Sequence, residues 1–178
     1  MRIVCIFAVL LATVVPARAQ AKLRRLKEQT TFSICADPTV RTPVPLTPPE
    51  LLALANDDLM QQERDQDPPI SAFTGQGLEA AVVHLFNPRE QDLIVIGSGR
   101  PFLGADICPF WILRDLPTGP IVVLHTLMLS LEVLASRTHS LRNISTVSAN
   151  ASTNTTTVFH FNGTKYIVVR TRTRPNRS

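Results

Sequence analysis

Val158-Phe159-His160-Phe161-Asn162-Gly163-Thr164-Lys165-Tyr166-Ile167-Val168-Val169 places two β-prone runs on either side of an Asn-Gly pair. That pair accepts the positive φ angles of a tight primed turn, whose twist matches that of paired strands, so the stretch reads as an antiparallel hairpin. Pro117-Thr118-Gly119-Pro120 separates Trp111-Ile112-Leu113 from Ile121-Val122-Val123-Leu124 in a similar way. Working outward, short runs rich in Val, Ile, Phe and Thr predict strands near Ala80–Phe86, Asp92–Gly97, Phe110–Asp115, Ile121–His125, Ser130–Thr138, Ile144–Ala149, Thr155–Phe161 and Lys165–Arg170. Most connections are too short for a crossover helix, which makes an antiparallel meander the economical topology. Within Ser130–Arg137, Leu131, Val133 and Ala135 share one side while Ser130, Glu132 and Ser136 share the other, the pattern of a sheet with one wet face.

One helix is signalled ahead of these strands. Thr47-Pro48-Pro49-Glu50 has the form of a capping box with proline at the first helical position, where its missing N–H costs nothing. Leu51, Leu52, Ala55 and Leu59 follow at helical spacing, and Asp65-Gln66-Asp67-Pro68-Pro69 closes the segment. The expected class is therefore α+β: a mainly antiparallel β meander of about eight short strands with one N-terminal amphipathic helix packed on the sheet. No repeat of fixed period stands out between Leu78 and Arg170.

The first residues have the anatomy of an export signal. Arg2 precedes a 13-residue apolar run, Ile3 to Val15, and Ala17-Arg18-Ala19 is the small-x-small pattern cut by signal peptidase. The run is shorter than the roughly 20 residues of a membrane-spanning helix, so removal of 1–19 and release of a secreted or periplasmic protein beginning at Gln20 is the expectation. Cys5 lies inside that run, too early for a lipoprotein anchor. The expected organisation is a signal peptide (1–19), a Pro-rich extended arm (20–46), one α+β domain (47–170) and a basic tail (171–178).

Of 178 residues, 159 remain after the leader, enough for one self-sufficient core. Loss of Arg2 and Arg18 leaves 16 basic against 14 acidic residues, a net +2. The charge is uneven: Lys22, Arg24, Arg25 and Lys27 crowd one end and Arg170, Arg172, Arg174 and Arg177 the other, while residues 28–169 carry 8 basic residues and all 14 acids. Basic ends can meet anionic polymers or simply be solvated, and neither carries an aromatic residue to stack on a base, which argues against nucleic acid. Cys35 and Cys108 are the thiols left after the leader; they form either a disulfide across a loop of about 70 residues or two unrelated thiols. Two isolated cysteines lack the paired spacing of a zinc module.

No catalytic pattern is complete. Gly75-Gln76-Gly77-Leu78-Glu79-Ala80 matches a loose dinucleotide fingerprint, but the strand required before it and the helix required after it are missing, so it reads as a turn and no cofactor is expected. Ser98 in Gly97-Ser98-Gly99 lacks the nucleophile-elbow consensus. His84, His125, His139 and His160 are the candidate bases, each solitary in its segment, and only folding can bring one to Ser98. Asp57-Asp58 and Asp65-Gln66-Asp67 lack the remaining ligands of a calcium loop and read as a solvated helix end; Asp106 and Asp115 read as surface groups. Asn143, Asn150, Asn154 and Asn162 each begin a glycosylation sequon.

Phe86-Asn87-Pro88-Arg89-Glu90-Gln91-Asp92-Leu93-Ile94-Val95-Ile96-Gly97, Gly104-Ala105-Asp106-Ile107-Cys108-Pro109-Phe110-Trp111-Ile112-Leu113-Arg114 and the closing Phe159-His160-Phe161-Asn162-Gly163-Thr164-Lys165-Tyr166 hairpin resemble a group of uncharacterised exported bacterial proteins. That group has a Gly-Ala-Asn-x-x-x-Phe-Trp-like segment and a C-terminal Phe-x-Phe-Asn-Gly-x-x-Tyr hairpin, with Asp106 standing here for the Asn. The resemblance implies export and fold, transfers no catalytic role, and tilts the sequons toward silence. Phe110 and Trp111 read as the structural anchor, one of them facing the core. Two functions follow: an exported, soluble, non-catalytic binding or inhibitor-like module for a protein or envelope component, or a small secreted hydrolase with a composite Ser/His/Asp site built on Ser98.

Overall fold

Side-chain alternation along the strands serves two antiparallel sheets, between which the chain passes twice, after β1 and after β5. The computed structural model describes residues 28–63, 74–98, 102 and 107–176; the leader at 1–19, Asp65-Gln66-Asp67-Pro68-Pro69 and Asp106 lie outside the described residues. β1 (Thr31–Ser33) is followed by α1 (Pro48–Ala55) and α2 (Asp58–Glu63). The remaining strands are β2 (Leu78–Val83), β3 (Asp92–Gly97), β4 (Cys108–Leu116), β5 (Gly119–Met128), β6 (Ser130–Thr138), β7 (Leu141–Ala149), β8 (Thr153–Phe161) and β9 (Tyr166–Pro175). The four-stranded sheet runs β2-β3-β4-β5 and the five-stranded sheet β1-β6-β7-β8-β9. Two meanders thus replace the single one expected, and the chain passes between sheets at Leu129, whose N–H donates to Val147 O at 2.9 Å.

The centre of the four-stranded sheet, β3 and the first six residues of β4, is buried on both faces. Ile94, Ile96, Phe110 and Ile112 pack against Phe32, Leu131, Ile144 and Phe159 of the other sheet. Val95, Trp111 and Leu113 pack on the opposite face against Leu54, Leu59 and Met60 of the helices and against Phe102. This corrects the expectation that only one of Phe110 and Trp111 faces a core: both are fully buried, in different clusters, because the helices cover one face of this sheet and the five-stranded sheet covers the face expected to be wet. The wet face belongs to the outer side of the five-stranded sheet.

Three further differences have local causes. The helical segment is broken at Asn56-Asp57 into α1 and α2; Ala55 and Leu59 of the expected stripe are buried, whereas Leu52 is exposed and Leu54 is buried in its place. Glu50 Oε2 accepts the Thr47 N–H at 2.6 Å and fixes the start of α1. The described part of the Pro-rich arm is not free. Phe32 of β1 is buried against β6, and Val44 bridges Ala80 at the edge of β2. Finally, residues 171–175 of the expected basic tail are strand, clamped where the Asn176 N–H donates to Ser152 O at 2.8 Å.

The turn between β6 and β7 is made by His139 and Ser140, with φ of 48° and 70°. These are left-handed values, unusual for residues other than glycine, and the His139 ring holds its place with Nδ1 2.9 Å from Phe161 O.

Candidate functional site

Asp57 sits in the break between the helices and caps α2: its Oδ1 accepts the N–H groups of Leu59 and Met60 at 3.1 and 3.4 Å. The same oxygen accepts the indole N–H of Trp111 at 2.9 Å, and Oδ2 lies 2.8 Å from His125 Nδ1. A carboxylate only accepts, so Nδ1 carries the proton and Nε2 of the neutral ring is left as an acceptor. His125 reaches this position because it stands opposite Trp111 on β5, two residues after a bulge that leaves Val123 unmatched. The ring is 44 % exposed beside a carboxylate that is 9 % exposed. Both border a cleft of about 260 Å³ walled by Val122, Leu124, Phe159, Lys165 and Val168. This dyad can hold an oriented base or hydrogen-bond acceptor, and no Ser, Thr or Cys lines the cleft among the described residues. The sequence signal for it was an Asn-Asp pair ahead of Leu59-Met60, an N-cap pattern hidden by reading Asp57-Asp58 as a solvated end.

The structure does not bring Ser98 to a histidine. Val95, Trp111 and His125 form one cross-strand row, and Ser98 lies three residues along β3 and two strands away, roughly 14 Å from His125 by strand geometry. His84 is at the far end of β2, its N–H donating to Glu28 Oε1 at 2.7 Å. His139 makes the β6–β7 turn, and His160 stands opposite Ile167 on β8. Cys35 is exposed and Cys108 buried, and both thiols are free, which corrects the disulfide expectation. Burial pushes the Cys108 thiol above its ordinary pKa. Of the sequons, Asn143 is buried and donates to Ser136 Oγ, while Asn150 and Asn162 accept the backbone N–H groups of the turns they begin.

Behind the cleft the two sheets share a charged end. Arg114 Nε is 3.5 Å from Asp92 Oδ1, whose other oxygen accepts the Leu85 N–H at 3.1 Å. Burial raises the Asp92 pKa, opposed by the Leu85 bond and by Arg114. Tyr166 donates to Arg142 O at 2.6 Å, and burial together with Asp92 raises its pKa. Arg142 Nε and Nη2 donate to Leu134 O and Val133 O, and one nitrogen of Arg137 meets the carbonyls of Leu85, Phe86 and Ser140. These arginines are committed to the fold.

Arg170, Arg172 and Arg174 are not. They project at alternate positions from β9, about 6.8 Å apart along the strand, opposite Val158, Thr156 and Asn154 of β8. None is in an ion pair among the described residues. With Pro175 they border a shallow groove of about 610 Å³ on the outer face. β9 ends the five-stranded sheet, so one rim of its ten residues pairs with no strand of the described structure. Near its start, Ile167, Val168 and Val169 are 41, 56 and 45 % exposed, Val169 being the unmatched residue of a second bulge. No group of three or more potential metal ligands occurs among the described residues. No helix of the described residues is long and apolar enough to cross a membrane.

No family model matches the chain, and neither a curated protein nor a solved structure matches it.

Proposed function

We propose that this chain is an exported, non-catalytic binding module whose protein partner docks along β9. One observation carries the reading: a ten-residue edge strand bears exposed aliphatic residues at its start and three uncommitted arginines along its remainder. A free edge is a ready template for strand addition, which proteins ordinarily suppress by shortening or covering it. The reading of residues 1–19 as a removed leader supports a secreted or periplasmic location for this edge. The test is capture of partners from envelope extract by the protein and by Ile167→Lys/Val169→Lys, which alters exposed positions only. Loss of capture in the variant supports the reading; equal capture by both overturns it.

The second reading is a hydrolase, favoured by the Asp57–His125 dyad at the cleft. It expects turnover of small ester or glycoside substrates that disappears in His125→Gln and persists in Ser98→Ala. Such turnover would displace the binding reading.

A further inference from the structure

We propose that the β9 edge takes an acidic, extended segment of a partner protein as an added antiparallel strand; the proposal rests on the edge reading above and names the chemistry of its partner. The side chains of β9 form a template. Arg170, Arg172 and Arg174 point to the outer face, Thr171 and Thr173 stand opposite the inward-facing Thr157 and Thr155, and Ile167, Val168 and Val169 precede them. A strand laid alongside places one residue opposite each of these, with Cβ atoms close enough to interact. Carboxylates at alternate positions then meet the three guanidiniums, and aliphatic residues meet Ile167 to Val169. Every strand pair of both sheets is antiparallel, and an antiparallel pair tolerates the solvated outer face.

Charge selects the occupant. A second copy of β9 paired across the arginine half sets Arg against Arg, and like charges directly opposite are unfavourable. Single-stranded nucleic acid needs aromatic platforms for its bases, and the residues flanking the arginine row are Asn154, Thr156 and Val158. The row that rejects self-pairing therefore accepts an acidic strand.

The probe is a capped octapeptide, Glu-Thr-Glu-Thr-Glu-Val-Val-Val, which in antiparallel register opposes its glutamates to Arg174, Arg172 and Arg170. Binding is measured by titration calorimetry, and the strand is located by amide hydrogen exchange. The expected result is saturable binding, protection of amides between 167 and 174, weakening with added salt, and a roughly tenfold loss in Arg170→Gln/Arg172→Gln/Arg174→Gln, the product of three modest cross-strand pairs. Arg172→Gln alone, losing about twofold, serves if the triple variant fails to fold. Equal binding of a peptide with lysine in place of glutamate, or absence of protection on β9, overturns the proposal. So does tighter, arginine-dependent binding of heparin or oligothymidylate, which assigns the row to a polyanion. If the peptide fails while Ile167→Lys/Val169→Lys still abolishes capture, the acidic chemistry is wrong and the edge reading stands; failure of both sinks both.

Discussion

Trp111 donates its indole N–H to Asp57 across 2.9 Å, tying the centre of β4 to the break between α1 and α2. The carboxylate that receives it also caps α2 and orients His125, so one side chain couples helix, sheet and cleft. A buried indole ordinarily finds a partner for its N–H, and here that partner explains why the helices sit over β4 and β5.

Trp111→Ala is expected to cost about 3–5 kcal/mol in denaturant unfolding, most of the stability of a marginal domain. Trp111→Phe keeps most of the packing and loses the donor, costing about 1–3 kcal/mol while Asp57 retains its other partners. The single tryptophan should emit at short wavelength and resist iodide. Emission like that of free tryptophan contradicts this burial.

Asp92 makes stability fall with rising pH. Its native pKa lies above the ordinary 3.8, so the folded state holds the proton more tightly than the unfolded chain. Its contribution is favourable at low pH and lost as pH climbs from 3.8 through the raised native value. Urea unfolding of the wild type and Asp92→Asn across this window isolates the effect: the difference between them should shift toward the variant as pH rises. A difference that shifts the other way refutes the assignment.

Tyr166 is the only tyrosine and its hydroxyl is buried as a donor to Arg142 O. Its native pKa is raised above the ordinary 10.0, so stability falls as pH passes that value, and ultraviolet titration should show ionisation arriving together with unfolding. Smooth ionisation near pH 10 in a still-folded protein would falsify the buried phenol.

Thiol titration separates Cys35 from Cys108. Cys35 is exposed and should react at once with a disulfide reagent, whereas Cys108 is buried with a raised pKa and should react only on unfolding. Two rapidly reacting thiols, or none, contradict the structure.

The antiparallel character of the chain was legible because it is local. The Asn162-Gly163 turn and period-2 alternation are written in adjacent residues, and eight of the nine strands among the described residues fall where short β-prone runs stand between turn signals. β1 escaped because three residues are too few to show an alternation, and they join the sheet by pairing with β6 and burying Phe32, both distant in sequence. The His139-Ser140 turn carries no glycine, yet the adjoining strands were found from their own alternation.

The sequence by itself determined which segments extend, where they turn, and that arginines alternate near the C-terminus, since each depends on residues within a few positions of one another. Only the tertiary structure decided that there are two sheets, that both faces of β4 are dry, that Asp57 meets His125 across 68 positions, and that Arg170, Arg172 and Arg174 line a free edge. Alternation states that a side chain has two faces to choose from; what covers each face is settled by the layers that pack against it.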